Sequence, residues 1–251
     1  MRTFTLFALI AALTLTGCAT GTNPADPYES FNRSVYKFND TLDRTIAKPV
    51  AQGYEKVMPT IGKVMVNNFF SNLDDVVVTA NDLLQLKIRQ AASDGIRVIF
   101  NSTIGVFGLF NVTTRLEKHH EDFGQTLGYW GMGPGPYLML PILGPSDLRD
   151  SAGLVVDTIP GPIGKITPVA TRNELYILEQ INLRGQLLDA EKVMDEASLD
   201  KYDFLRNAYL QHRLNLVYDG DPPRPKYDDD SGDDAPAPAP ADKAAPEQPA
   251  K

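Results

Sequence analysis

Phe123–Asp150, FGQTLGYWGMGPGPYLMLPILGPSDLRD, opens with 24 residues, Phe123 to Ser146, that carry no charge. Its glycines (Gly128, Gly131, Gly133, Gly135, Gly144) and prolines (Pro134, Pro136, Pro141, Pro145) exclude an uninterrupted helix, because proline lacks the N–H and glycine loses the most backbone entropy on ordering. Tyr129, Trp130, Met132, Tyr137, Leu138, Met139, Leu140, Ile142 and Leu143 lie between them. A backbone that is irregular while its side chains are apolar is stable only in a protein core or at a membrane, with its peptide groups satisfied by protein or by a wet cavity.

Upstream, Val98–Thr114 (VIFNSTIGVFGLFNVTT) is a second uncharged run, of 17 residues, separated from the first by the charged bridge Arg115–Asp122. It reads either as a buried helical hairpin or as a surface against lipid. Downstream, Ser151–Gly164 contains only one charge, Asp157. No segment offers the roughly 20 uninterrupted helical residues that a conventional span needs, so a membrane-associated body would lie in one leaflet.

The remaining chain has helical periodicity. Asp26-Pro27-Tyr28-Glu29 has the form of a helix start, with Asp26 at the N-cap, and Phe31, Val35, Phe38, Leu42 and Ile46 follow as one apolar face. Pro49 is expected to end that helix. A short helical piece to about Pro59 and another to about Asn72 come next, with Asn72 capping a further helix that carries Leu73, Val76, Val77, Ala80, Leu83 and Leu84. Ile88–Phe100 repeats the pattern. Thr171-Arg172-Asn173-Glu174 reads as a capping box for a helix running to about Ala197, and Ser198 as the cap of a last helix with Tyr202, Leu205, Tyr209 and Leu216. The fold class is mainly α in a single domain, residues 26–218. From Asp219 onward nine Asp/Glu face four Lys/Arg in a Pro/Ala-rich segment, so residues 219–251 read as a disordered acidic tail. That tail accounts for −5 of the net charge of −8, and the balance argues against nucleic acid as a partner.

At the N-terminus an apolar run from Phe4 to Leu15, broken by Thr5 and Thr14, is too short to span a bilayer and reads as a secretory signal, residues 1–17. Leu15-Thr16-Gly17-Cys18 resembles the bacterial lipobox, whose cysteine becomes the first mature residue and is acylated. Cys18 is the only cysteine of the chain, so it cannot form an intrachain disulfide. Residues 18–25 then form an acylated tether, and Ala19 in place of aspartate favours the outer membrane.

Catalytic chemistry finds no support. His119 and His120 are adjacent rather than spaced as on a zinc helix, and His212 is far away. No nucleophile elbow, phosphate loop or dinucleotide fingerprint is present. The expectation is a non-enzyme without cofactor or metal.

Asp26-Pro27, Glu29, Phe31-Asn32-Arg33, Tyr36 and Phe38-Asn39, then Phe123-Gly124-Gln125-Thr126-Leu127-Gly128, Gly131, Gly133, Gly135-Pro136-Tyr137, Leu140-Pro141, Gly144 and Arg149-Asp150, resemble the MlaA/VacJ lipoproteins of Gram-negative outer membranes. Arg184, Leu187-Leu188-Asp189, Arg206, Ala208-Tyr209, Gln211 and Arg213 extend the resemblance, which the acidic tail does not share. The resemblance implies a ring of helices in the inner leaflet of the outer membrane, with a glycine-rich hairpin lining a central amphipathic channel. Such proteins remove mislocalised phospholipid from the outer leaflet beside a trimeric porin and pass it to a soluble periplasmic carrier. It further implies that Gly131, Gly133 and Gly135 act as a hinge beside the channel and that Phe38 and Asn39 lie near its gate. As residues, Phe38 and Asn39 read equally as a core aromatic and a solvated amide. Pro134 departs from the family pattern and would stiffen the hinge, while Arg149 and Asp150 read as a structural ion pair. The competing functions are a purely structural, porin-bracing lipoprotein and a membrane phospholipid hydrolase.

Overall fold

The computed structural model describes Asn23 and residues 26–223. The signal segment, Cys18 and the tail beyond residue 223 lie outside the described residues.

The chain is mainly helical. α1 (Glu29–Leu42) leads into α2 (Lys48–Val57), followed by α3 (Thr60–Leu84), α4 (Ile88–Thr103), α5 (Phe123–Tyr129), a hairpin of β1 (Tyr137–Leu140) and β2 (Gly144–Asp147), then α6 (Leu148–Asp157), α7 (Val169–Gln186), α8 (Leu188–Ala197) and α9 (Lys201–Val217). α3 packs along α4, α5 against α6 and α2 against α7. β1 and β2 are antiparallel, with Tyr137 opposite Asp147 and Leu140 opposite Gly144. Among the described residues no helix is long and apolar enough to cross a membrane.

Several expected boundaries move. α1 does not stop before Pro49: a π-helical turn, Asp43–Ala47, joins it to α2 with Pro49 in the first turn of the latter. The widened turn takes up the missing N–H and the ring bulk of proline. Asn72 caps nothing. It is buried in the middle of the 25-residue α3, where its Nδ2 donates to Ser102 Oγ (2.8 Å). Asp26 is not an N-cap either, since α1 begins without a side-chain cap. Its carboxylate accepts from Asn32 Nδ2 (2.8 Å), the Tyr202 hydroxyl (2.5 Å) and Arg206 Nη1 (3.2 Å). α7 starts after Pro168 without a side-chain cap, and it ends at Gln186 rather than near Ala197, where α8 ends. The last helix is capped by Asp200, which accepts from the Tyr202 N–H, while Ser198 donates back to Met194 O.

Burial runs opposite to that of a water-soluble domain. Among the described residues eight apolar ones are buried against nineteen polar or charged ones, so helix-to-helix cohesion rests on paired polar groups more than on an apolar core. The inward face of α3 presents Asn72, Asp75, Asn81 and Asp82, and that of α4 presents Asp94, Arg97 and Asn101. Arg97 joins the two through Asp75 of α3 (3.1 Å) and pairs also with Asp94 on its own helix (3.6 Å). Much of the apolar stripes read from the sequence points outward, although Val35 packs against the buried cluster and Leu73, Val76 and Val77 are half-buried. Phe31 and Phe38 on α1, Ile46 in the π turn, Ile61 and Val64 on α3, and Ile96, Ile99 and Phe100 on α4 are all exposed. The second uncharged run ends α4 in a tight turn with Val106 and Phe107 in the left-handed region (φ 53° and 56°), and it exposes Ile104, Phe107 and Phe110. It is not a buried hairpin.

The buried apolar cluster, Tyr137, Met139 and Tyr202, sits where β1 is held between α1 and α9. The free edge of β1 is satisfied by two asparagines. Asn32 donates to Tyr137 O (3.0 Å) and accepts from the Met139 N–H (2.9 Å). Asn39 donates to Leu140 O (2.9 Å) and accepts from the Ile142 N–H (2.8 Å). Seven helical residues rise about 10.5 Å and three strand residues about 10 Å, so the two side chains match the strand in register.

Two outcomes are expected. Asn32→Ala leaves the buried Tyr137 carbonyl and Met139 N–H without partners and should cost about 3 kcal/mol in detergent-solubilised unfolding, whereas Asn39→Ala, at the wetter end of the strand, should cost under about 1 kcal/mol; equal losses would refute the contrast. Asp82 is fully buried with neither carboxylate oxygen hydrogen-bonded, and burial, reinforced by the charges of Asp94 and Glu121, pushes its pKa up to about 7. A raised carboxyl pKa means that ionisation destabilises the fold, so stability from this site is full below the unfolded pKa, near 4, and is lost as pH rises through 7. Asp82→Asn should therefore stabilise by about 1–3 kcal/mol at pH 8, a gain that fades toward pH 4 when melting temperatures are compared.

Candidate functional site

The uncharged 123–146 stretch folds as a short helix, a glycine turn and the hairpin, and each part is fixed by a buried charge. Asp122 caps α5, accepting from the Gln125 N–H (2.8 Å), and is gripped by both terminal nitrogens of Arg213 (2.5 and 2.9 Å). Burial works against the Asp122 charge, but the Arg213 hydrogen bonds outweigh it and hold the carboxyl below its usual range. Asp147 caps α6 through the Asp150 N–H (2.7 Å), and burial raises its pKa. Asp150 takes Arg149 (2.9 Å), the Tyr209 hydroxyl (2.6 Å) and Arg213. Asp157, the one charge of 151–164, accepts from the Phe123 N–H and Asn81 Nδ2 (2.9 Å each).

α5 ends in a Schellman cap. The Met132 N–H reaches back to Leu127 O (2.9 Å) and the Gly131 N–H to Gly128 O (2.9 Å), which requires Gly131 at φ 92°. Gly135 also has positive φ (70°); Gly133 does not, and a Cβ added to it or to Gly131 would meet nothing within 4 Å. Beyond the cap the backbone is pinned again where the Arg149 N–H donates to Pro134 O (3.1 Å).

Gly131, Met132, Gly133 and Pro134 form one wall of a cavity of about 310 Å³. Asp147, Arg149 and Arg213 give it a charged wall, and Leu210, Leu214 and Val217 of α9 an apolar one. The cavity is thus amphipathic, with two guanidinium groups held in place by carboxylates, and its size is at the lower end for ligand sites. An anionic or zwitterionic head could be met on the charged wall while hydrocarbon lies along the other.

Of the residues singled out from the sequence, Gly131 and Gly133 line this cavity, and Gly135 follows directly after its wall. Phe38 and Asn39 lie outside its lining: Phe38 is exposed on α1, and Asn39 holds the hairpin as described. Arg149 and Asp150 form an ion pair. Cys18 lies outside the described residues. His119 pairs with Asp94 (2.6 Å), and among the described residues no group of three or more His, Cys, Asp or Glu is arranged to hold a metal. Asp122, Asp147 and Arg213 were not singled out as site residues. Asp122 and Asp147 bracket the uncharged run and were visible as its only flanking charges, but their partner Arg213 lies 91 residues from Asp122 and carries no local signal.

The MlaA lipoprotein family model matches residues 24–216. The chain is 35% identical over 225 residues to the intermembrane phospholipid transport system lipoprotein MlaA of Escherichia coli K12, covering 84% of this chain and 87% of that protein. It is 28% identical over 241 residues to the protein of the same name from Haemophilus influenzae, covering 88% and 93%. An uncharacterized protein of Rickettsia typhi is 40% identical over 196 residues, covering 75% and 76%. A solved structure described as “Structural basis for maintenance of bacterial outer membrane lipid asymmetry” superposes with a TM-score of 0.67 at 32% identity, covering 76% of this chain and 98% of that one. Matched by the family model along nearly the whole of its helical body, and 35% identical to the Escherichia coli protein over most of both chains, the chain belongs to the MlaA lipoprotein family.

Proposed function

We propose that this chain is an outer-membrane lipoprotein, acylated at Cys18 and sunk into lipid from the periplasmic side, that removes mislocalised phospholipids from the outer leaflet and maintains lipid asymmetry. The observation that carries the reading is the inverted burial: polar groups face inward between the helices while apolar side chains on α1, α3, α4 and the 104–110 turn face out. Such a surface is stable against acyl chains, and polar pairs are the available glue between helices there. The names carried by the Escherichia coli and Haemophilus influenzae relatives, phospholipid transport lipoproteins, point the same way.

In this reading the helices ring an amphipathic passage, with the cavity beneath Gly131–Pro134 as part of it. A phospholipid head entering hydrocarbon unsolvated costs many kcal/mol, and a path lined by Arg149 and Arg213 lowers that barrier. The lipid then passes to a soluble periplasmic carrier, beside a trimeric porin, and no bond is made or broken. Gly131, Gly133 and Gly135 act as the hinge of the passage, with Phe38 and Asn39 on the helix that holds the hairpin.

Deleting the chain should raise surface-exposed phospholipid, and the purified protein should carry phospholipid. Intact barrier lipid in the deletion would overturn the reading in favour of a porin brace, and fatty acid released over time would indicate a hydrolase. Cys18→Ser cannot form the thioether to the diacylglyceryl group; fractionation should find an unacylated precursor outside the outer membrane, and normal residence would refute acylation there. Gly131→Val forces a β-branched residue to φ 92°, a strain of about 1–3 kcal/mol that a body of this size survives. It should accumulate normally yet fail to restore the barrier against detergent with EDTA, whereas Gly133→Ala, with open space and no positive φ, should restore it. Full restoration by Gly131→Val would remove the glycine turn from the mechanism.

A further inference from the structure

Seven of the ten arginines among the described residues are tied to a carboxylate. Arg89, Arg115 and Arg172 are the exceptions among the described residues, engaging in no ion pair. Two of these three, Arg89 and Arg115, line one groove of about 670 Å³ between α4 and the 115–119 loop. Both are exposed, one from each wall. The groove begins at the N-terminal turn of α4, which has no side-chain cap, so the positive end of the helix dipole adds to the guanidinium charges. Glu117 is the acidic residue of the lining, and His119 is already occupied by Asp94. Two unpaired cations against one carboxylate leave the groove short of negative charge. At its other end the wall is Ile96, and Ile99 and Phe100 follow on the same face of α4, all exposed.

We propose that this groove is a binding site, on the outside of the body, for an anionic phospholipid of the surrounding leaflet. The head-group phosphate lies between Arg89 and Arg115, and the acyl chains run over Ile96, Ile99 and Phe100. The proposal rests on the reading that the body is immersed in lipid, but it concerns none of the residues of the glycine-walled cavity. Its chemistry is a phosphodiester met by two donors that nothing else in the fold claims. A lipid held there would fix the depth at which the charged Arg115–Asp122 bridge sits relative to the head groups.

The test is native mass spectrometry of the full acylated chain purified in detergent and titrated with phosphatidylglycerol, compared with Arg89→Gln/Arg115→Gln. Each basic group near an anionic lipid surface contributes enough that the double variant should need roughly thirtyfold more lipid for the same occupancy. Arg172→Gln, which removes an unpaired arginine elsewhere, should bind like the parent. Inorganic phosphate, offered in place of the lipid, should not bind. Equal occupancy in parent and double variant overturns the proposal, as does an equal loss in Arg172→Gln, which would report bulk charge. Phosphate binding as tightly as the lipid would make it a free-anion site and overturn it too. Because neither substituted arginine has a partner in the fold, matching thermal unfolding of parent and variant is part of the expected result. The readout counts arginine-dependent lipid and makes no use of transport, so its failure leaves the reading of the central cavity standing, and the converse holds.

Discussion

Arg97 between Asp75 and Asp94, Arg213 between Asp122 and Asp150, and Arg206 on Asp26 are the contacts on which the body depends. In water a buried ion pair contributes little over an apolar pair of the same shape, because desolvation offsets the attraction. Against lipid the balance differs. Exposed Ile, Val and Phe gain nothing by turning inward when the solvent is itself hydrocarbon, and each polar group left outside would be costly. The pairing of polar groups then decides which helix faces meet, and the apolar faces are left for the surroundings.

This inversion explains what the sequence made legible. Helical periodicity located most helices, since backbone geometry is the same whichever side faces solvent. It could not give direction: the stripe Phe31, Val35, Phe38, Leu42, Ile46 was visible, but the fully buried residue of α1 is Asn32, at the edge of that stripe, and of the stripe itself Val35 packs against the buried cluster while Phe31 and Phe38 are exposed. The misplaced caps have a common cause. Asp26 and Asn72 have the side chains of caps, yet both are consumed by long-range partners, Tyr202 and Arg206 for one and Ser102 for the other. Pro49 failed as a stop because a π turn, which has no sequence marker, absorbed it.

The cavity was legible in part. Glycine density between uncharged apolar residues marked Gly131 and Gly133 without any three-dimensional knowledge. The structure adds why one differs from the other: Gly131 closes a helix in a conformation that only glycine adopts freely, while Gly133 does not. The charged wall was out of reach. Arg149 could be paired with its neighbour Asp150 from sequence, but Arg213 arrives from α9, and only the fold brings it under the glycine turn.

The clasp of β1 between α1 and α9 sets an order of assembly. Asn32 and Asn39 can seat the strand edge as soon as residue 142 exists, but the Tyr202 hydroxyl and Arg206, which close over Asp26, are supplied 176 and 180 residues after that carboxylate. Contacts of such sequence separation form late. A chain emerging from its N-terminus therefore has an unsealed strand and a lone buried-to-be carboxylate until its final helix is delivered. Closure over Asp26 therefore waits for α9, the last helix of the described body.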